Sequence, residues 1–414
     1  MTGRQEDRPV VPRLLQVQIR NYKSIARASV GLAPLTVFIG PNGAGKSNFI
    51  DVLSFVQQCL SDSIEHAFRS RGGIAAVRRR SGGHPTHIGV RLIMDLGDDV
   101  TADYGFEIAA KPREQFRVAE ERCCIGRFME EEHSFHRRGD KFIKDKEIPG
   151  IRARVPADRL ALFAASATEE FRPAYDFLTS MRFYSIVPER LRALQDPDPG
   201  VFLKRNGDNA PAILRQLKED ARDNDGYQRI CRLLSKVVEG MAAVDYRSVA
   251  QKETLEFKQD VGLKQPWTFE ALSMSDGTLR VLGLLLAVYQ RGPTSVLAIE
   301  EPEATVHPAV CELVVQILMD AASEKQVLVT THSPDLLDYK DLTDDQIRVV
   351  TMQHGQTIIA PLAPSARDAI RKRLYTAGDL LRVNELNPDL EAAKEMQEQL
   401  NLFGRPLPNR NQGT

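Results

Sequence analysis

The run Gly40-Pro41-Asn42-Gly43-Ala44-Gly45-Lys46-Ser47 sets the architecture of this chain. An apolar segment, Leu35-Thr36-Val37-Phe38-Ile39, leads straight into it, and an amphipathic one, Asn48-Phe49-Ile50-Asp51-Val52-Leu53, leads out. A strand, a glycine-rich turn and a helix in that order match the pattern G-x-x-x-x-G-K-[ST] of a phosphate-binding loop. Glycines let backbone N–H groups curl around a polyphosphate, and the following helix aims its positive end at the same charge. The spacing predicts a cradle running from Gly40 to Asn48, with Lys46 reaching the β- and γ-phosphates of a nucleotide and the Ser47 hydroxyl holding Mg²⁺.

Composition bounds the rest of the chain. It has 414 residues, 42% hydrophobic and 27% charged, with a net charge of −1, as expected of a globular protein of two or three domain-sized units. No segment reads as membrane-spanning, and the polar start Met1-Thr2-Gly3-Arg4-Gln5-Glu6-Asp7-Arg8-Pro9 lacks the apolar core of a signal peptide. Five scattered cysteines (Cys59, Cys123, Cys124, Cys231, Cys311) without a C-x-x-C pair predict reduced, cytoplasmic thiols and no zinc site. Near-neutral charge neither demands nor excludes nucleic acid, since a local basic patch suffices for phosphate contacts.

Phosphate-loop proteins divide by their second motif. Ser295-Val296-Leu297-Ala298-Ile299 reads as a buried strand ending in Glu300-Glu301-Pro302-Glu303, the form of a Walker B element. Placed parallel to the first strand, its carboxyl end faces the metal and the γ-phosphate, where open α/β sheets bind ligands. Glu300 is expected to hold Mg²⁺ partly through water, and Glu301 to orient and activate the attacking water. Met274-Ser275-Asp276-Gly277-Thr278 precedes an apolar helix from Leu279 to Gln290. It has the form of an ABC-type signature, in which Ser275, Asp276 and Gly277 at a helix N-terminus meet a γ-phosphate from another subunit; a simple N-cap is the structural alternative. Downstream, the β-rich run Gln326-Val327-Leu328-Val329-Thr330-Thr331 is closed by His332-Ser333-Pro334, with His332 in the place of a switch histidine.

Phosphate loop, signature, Walker B and switch histidine follow one another in the order of a known group. The chain resembles ABC/SMC-like ATPases of the RecF, Rad50 and overcoming-lysogenisation-defect kind, in particular the AAA-15/AAA-21 type ATPases of bacterial anti-phage defence operons. The matching text begins with Leu14-Leu15-Gln16-Val17-Gln18-Ile19-Arg20-Asn21-Tyr22-Lys23-Ser24-Ile25 and the phosphate loop. It continues with Leu272 to Arg280, Ile299-Glu300-Glu301-Pro302-Glu303 and Thr330-Thr331-His332-Ser333-Pro334. The resemblance implies an α/β, ABC-type head with a RecA-like core and slow hydrolysis of ATP to ADP and phosphate. It also implies nucleotide contact by Lys23 or Ser24, catalytic roles for Lys46, Glu301 and His332, and a homo-oligomer joined through shared ATP sites. One departure stands out: Glu300 occupies a position where the group commonly has aspartate.

The insert between Ser47 and Ser275 has no sustained heptad run, which excludes a long coiled-coil arm. Instead, residues 86 to 145 alternate as antiparallel strands, 156 to 181 and 209 to 239 read as helices with a strand at Met181 to Ile186, and 244 to 270 returns as strands. This predicts head segments at 1–70 and 244–385, a β-rich lobe at 71–150, a helical insert at 151–243, and a tail at 386–414. Arg69, Arg71, Arg78, Arg79 and Arg80 form a basic segment after the first helix, and Arg137, Arg138, Lys141, Lys144 and Lys146 another at a hairpin tip. Either suits nucleic-acid phosphate; the first also suits a coupling of ATP state to the lobe, and the second a solvated loop balanced by Glu130-Glu131-Glu132. No Q-loop glutamine is identifiable. The residues after Lys340 are too few for an added nuclease domain, so any nuclease or toxin activity is expected from a partner. Two functions fit: an ATP-gated scaffold or sensor with a separately encoded effector, or a RecF-like ATP-dependent DNA clamp in repair.

Overall fold

The computed structural model describes residues 11–79, 87–127, 132–146, 155–156, 158–219 and 225–404. Its core is a six-stranded sheet in the order β16-β15-β3-β14-β13-β9. The strands are β3 (Leu35–Ile39), β9 (Arg182–Tyr184), β13 (Val296–Glu300), β14 (Gln326–Thr331), β15 (Ile347–Gln353) and β16 (Gln356–Ala360). Only β16 runs antiparallel to its neighbour. Both faces of this sheet are covered, which is why β3, β13 and β14 read as continuous apolar runs rather than alternating ones. Phe38, Val296, Ala298 and Leu328 face one core, while Val37, Ile39, Leu297, Ile299, Val327 and Val329 face the other.

On the first face lies helix α1 (Lys46–Ser61), buried along most of its length. Phe49 packs on Phe38 at 4.6 Å between ring centroids, and Phe55 on Tyr22 at 5.7 Å. Tyr22 belongs to a second, antiparallel sheet that covers the far side of α1, in the order β2-β1-β4-β5-β6-β7-β8. Its strands are β1 (Arg13–Tyr22), β2 (Ile25–Gly31), β4 (His87–Asp95), β5 (Val100–Ala110), β6 (Phe116–Arg127), β7 (His133–Arg138) and β8 (Lys141–Lys146). The β-rich lobe is therefore hydrogen-bonded across the 70/71 boundary: Val17 pairs with Leu92 and Ile19 with Val90, so the first strands of the chain and the lobe form one sheet.

The second face is covered by α2 (Asp276–Tyr289) and α3 (Pro308–Ala321) and by the helices at Ala210–Glu219 and Asp225–Ser235. A three-stranded sheet, β10 (Met241–Val249), β11 (Lys252–Gln259) and β12 (Trp267–Glu270), leads back to α2. The tail carries α4 (Leu390–Glu398), packed on β2 and β16. Among the described residues no helix is long and apolar enough to cross a membrane, and no coiled-coil arm leaves the head. All five cysteines are buried, and none forms a disulfide among the described residues.

Candidate functional site

The phosphate loop is shaped by what lies behind it. The chain turns at Gly40, where a Cβ would collide with the Val350 carbonyl, and passes through Gly43 (φ 79°) and Gly45 (φ 105°), both left-handed. A side chain on Gly45 would run into Thr357 of β16. Thr357 Oγ1 donates to the Ala44 carbonyl at 2.8 Å, so Ser24 Oγ, 2.6 Å away, must donate to Thr357, and Asn48 Nδ2 in turn donates to Ser24 Oγ at 2.6 Å. This relay ties the β1–β2 turn, the loop and β16 together. Pro41, Asn42, Gly43 and Ser47 are exposed on the open side, whereas Ala44 and Lys46 are buried. Among the described residues, the N–H groups of Gly43, Gly45, Lys46 and Ser47 meet no backbone acceptor.

Lys46 Nζ folds back onto the carbonyls of Gly40 (2.7 Å) and Pro41 (3.2 Å). Burial lowers its pKa, while the charges of Glu301 and Glu303 push it back up. Those carboxylates are close because Glu300 pairs in parallel register with Thr330, placing the acidic run beside the switch segment. Glu301 adopts φ 45°, a left-handed conformation that costs a non-glycine residue about 1–3 kcal/mol. Its N–H is held by Thr330 O at 2.9 Å, and its Oε1 lies 3.2 Å from His332 Nδ1. Glu303 is 5% exposed; it accepts the Thr331 hydroxyl, leaves Oε2 buried without a partner, and has its pKa raised by burial. Arg280 of α2 reaches toward the same acids: burial lowers its pKa, and Glu303 and Glu301 oppose that shift.

The remaining predicted residues are placed differently. Glu300 pairs with Arg205 at 2.7 Å, and the Ser185 N–H after β9 donates to Arg205 O at 2.9 Å. The chain leaving β9 thus runs beside the end of β13 and brings Arg205 to Glu300. Ser275 caps α2, accepting from Thr278 N at 3.2 Å; Asp276 binds Arg192, whose Nη2 also donates to Met274 O at 3.0 Å. A Cβ on Gly277 would lie 2.8 Å from Thr305 O, in the loop after Walker B. Ser275 is exposed, and among the described residues no hydrogen bond or ion pair joins Ser275, Asp276 or Gly277 to residues 40–48.

Lys23 (φ 46°) pairs with Asp51 on the flank of α1 at 2.6 Å, so of the Lys23-Ser24 pair it is Ser24 that engages the loop. Asp51 also binds Arg71 (2.9 Å) and Tyr22 Oη (2.7 Å); burial would raise its pKa, but Arg71 and Lys23 outweigh that and hold it low. Arg79, 9% exposed, donates to Ser24 O (2.8 Å) and Gly355 O (3.2 Å). The segment expected to be a flexible basic patch is thus built from helices at Ile64–Arg69 and Ile74–Val77, with Arg71 and Arg79 turned inward. Arg78 sits in a backbone bridge with Tyr22, and Arg80 lies outside the described residues. In the second cluster Arg137 is 2% exposed and bonded to Gly139 O at 2.6 Å. Sequence reading missed Thr357 and Arg205 because no local pattern marks them; Arg280 and Glu303 stood in quoted stretches without an assigned role.

Comparison with known proteins gives the family and the fold. A family model described as "AAA domain, putative AbiEii toxin, Type IV TA system" matches residues 35–338, from β3 to the turn after the switch histidine. Structural maintenance of chromosomes protein 1 of Schizosaccharomyces pombe is 24% identical over 236 residues, 52% of this chain and 18% of that protein. The phosphonates import ATP-binding protein PhnC of Lactiplantibacillus plantarum is 28% identical over 145 residues, 34% of this chain and 53% of that one. The matched regions thus span about half or less of these relatives. A solved SmcHead, bound to the C-winged helix domain of ScpA, superposes with a TM-score of 0.53 at 14% identity, over 87% of this chain and 99% of that one, and shares the fold. Because the family model covers well over half of its length, the chain belongs to the AAA-21 family of ABC/SMC-type ATPases.

Proposed function

We propose that the protein binds and hydrolyses ATP as a nucleotide-gated scaffold, holding a separately encoded effector in cytoplasmic anti-phage defence. One observation carries the gating: Lys46, Glu301 and His332 belong to one cluster, while Ser275 of the signature is exposed and unconnected to it. A complete site then needs Ser275 and Gly277 of a second copy, and the nucleotide acts as the joint.

The residues present fit Mg²⁺-ATP. Left-handed glycines leave backbone N–H groups without acceptors on the open side of the loop, and Lys46 is held only by carbonyls that a phosphate can replace. Among the described residues there is no cluster of three or more potential metal ligands. That suits Mg²⁺, which is commonly held by one or two side chains plus phosphate oxygens, here Ser47 and, through water, Glu300. When bound, Mg²⁺-ATP supplies the scissile phosphate and the charge that polarises it. Lys46, now on Gly40 O, would hold the β- and γ-oxygens, Glu301 would accept a proton from water, and His332, 3.2 Å from Glu301, would orient that carboxylate.

A defence setting is supported by the family's description as a putative AbiEii toxin of a type IV TA system, and docking of a second protein on the head by the related head solved with ScpA bound. The inward pairing of Arg71 and Arg79 weighs against the DNA-clamp alternative. The test is a pull-down from nuclease-treated lysate with Glu301→Gln and ATP. Recovery of a genome-neighbour protein is expected; ATP-dependent DNA binding by this chain alone, weakening with salt, would sink the scaffold reading.

A further inference from the structure

The outer face of the antiparallel sheet, away from α1 and the nucleotide loop, holds a seat for the end of the chain. Leu402 is 5% exposed, lying over Gly89 of β4 and Gly105 of β5. Both glycines are inside strands, where the absence of a side chain weakens the sheet. A Cβ on Gly89 would strike Leu402 Cδ1, with Arg20 Cβ, outside the tail, at an ordinary 3.7 Å; one on Gly105 would lie 2.6 Å from Leu402 O, with Arg91 at an ordinary 3.5 Å. At each position the tail alone occupies the space that the glycine frees.

Around that socket, arginines read the tail's backbone. Arg91 donates to Asn401 O, and to Gly404 O at 2.9 Å; Arg122 Nη1 donates to Phe403 O (2.8 Å) and Gly404 O (3.2 Å). His136 stacks on Phe403 at 6.2 Å and 18°. The socket is also preformed: Arg91 is paired with Asp103 at 2.7 and 2.6 Å, and His136 with Glu120 at 2.7 Å. Emptying it therefore leaves the Arg91 guanidinium paired, and the usual penalty for an unpaired buried ion is avoided there. The preceding α4 is weakly rooted, with Ala393 its one buried residue and Leu390 40% exposed.

We propose that this face is a peptide-docking site for an Asn-Leu-Phe-Gly segment, filled in cis by residues 401–404 and open to the same segment of a second copy when the tail lifts. Tethering holds the resident segment at an effective concentration in the millimolar range, so an added peptide competes poorly with it until the tether is weakened.

The experiment uses the full chain and a fluorescein-labelled peptide of residues 397–404, read by anisotropy. Leu402→Asp, which weakens the tail and leaves the socket intact, is expected to bind the peptide at least about tenfold more tightly than the unaltered chain. Adding Gly105→Ala should abolish that gain. Gly105→Ala alone, whose methyl is too close to the tail but at ordinary contact distance from Arg91, should speed limited proteolysis after residue 399 about tenfold, since local opening sets the rate of cleavage. Equal peptide binding by the unaltered and Leu402→Asp chains, binding that survives Gly105→Ala, or unchanged proteolysis would each overturn the proposal.

Discussion

Arg205 Nη2 lies 2.7 Å from Glu300 Oε1, so the carboxylate ending the Walker B strand is held by a cation from the insert. If Glu300 serves the metal shell, Arg205 and Mg²⁺ compete for it. Arg205 is about half exposed, and a pair of that kind is worth at most about 1 kcal/mol, or about fivefold in affinity. Arg205→Ala is therefore expected to lower the Mn²⁺ concentration needed for half-saturation with nucleotide by about two- to fivefold, measured by electron paramagnetic resonance. An unchanged midpoint would remove Glu300 from the metal shell.

Glu301 and Lys46 separate chemistry from binding. Glu301→Gln should keep nucleotide affinity, lower hydrolysis by about a hundredfold or more, and accumulate an ATP-bound oligomer visible by sedimentation. Lys46→Ala should lose nucleotide binding and, with it, that oligomer. Normal turnover by Glu301→Gln would move the general base elsewhere, Glu303 being the nearest candidate.

Glu303 predicts a pH dependence. Burial raises its folded pKa above the unfolded value, so the folded state favours the protonated carboxyl. Its favourable contribution is complete below the ordinary glutamate pKa and is lost as pH rises through the raised value. Glu303→Gln keeps an acceptor for the Thr331 hydroxyl and removes the charge. It should raise the thermal midpoint at pH 7 and bring little gain near pH 4, as followed by calorimetry; a gain independent of pH would show that ionisation of Glu303 costs nothing.

Arg79 should act as a brace. Arg79→Ala leaves the carbonyls of Ser24 and Gly355 without their charged donor, at a cost of about 1–3 kcal/mol in unfolding free energy. Because Ser24 is bonded to Asn48 and Thr357, nucleotide affinity should fall as well. A stable variant with normal nucleotide binding but weakened DNA binding would return Arg79 to the phosphate-contact role.

Local structure written in consecutive residues was legible beforehand. The glycine spacing of the phosphate loop, the apolar strands and the absence of heptads are local patterns, and each maps onto one backbone element. Partnerships were not legible, because they join residues far apart in the chain. Thr357 lies more than three hundred residues from Gly45, yet it occupies the space that a side chain on Gly45 would take. Basic residues misled for the same reason: Arg71 and Arg79 look alike in sequence to solvated arginines until Asp51, Ser24 and Gly355 are brought to them.

Residues 35 to 47 alone establish that a strand feeds a phosphate cradle, because the N–H groups that matter belong to that short segment and glycine's freedom is intrinsic to the residue. Which carboxylate meets which cation, and why Gly89 and Gly105 lack side chains, follow from packing. Two residues far apart in the chain acquire an interaction energy only once the sheets bring their atoms within a few ångströms, and no local pattern encodes that distance.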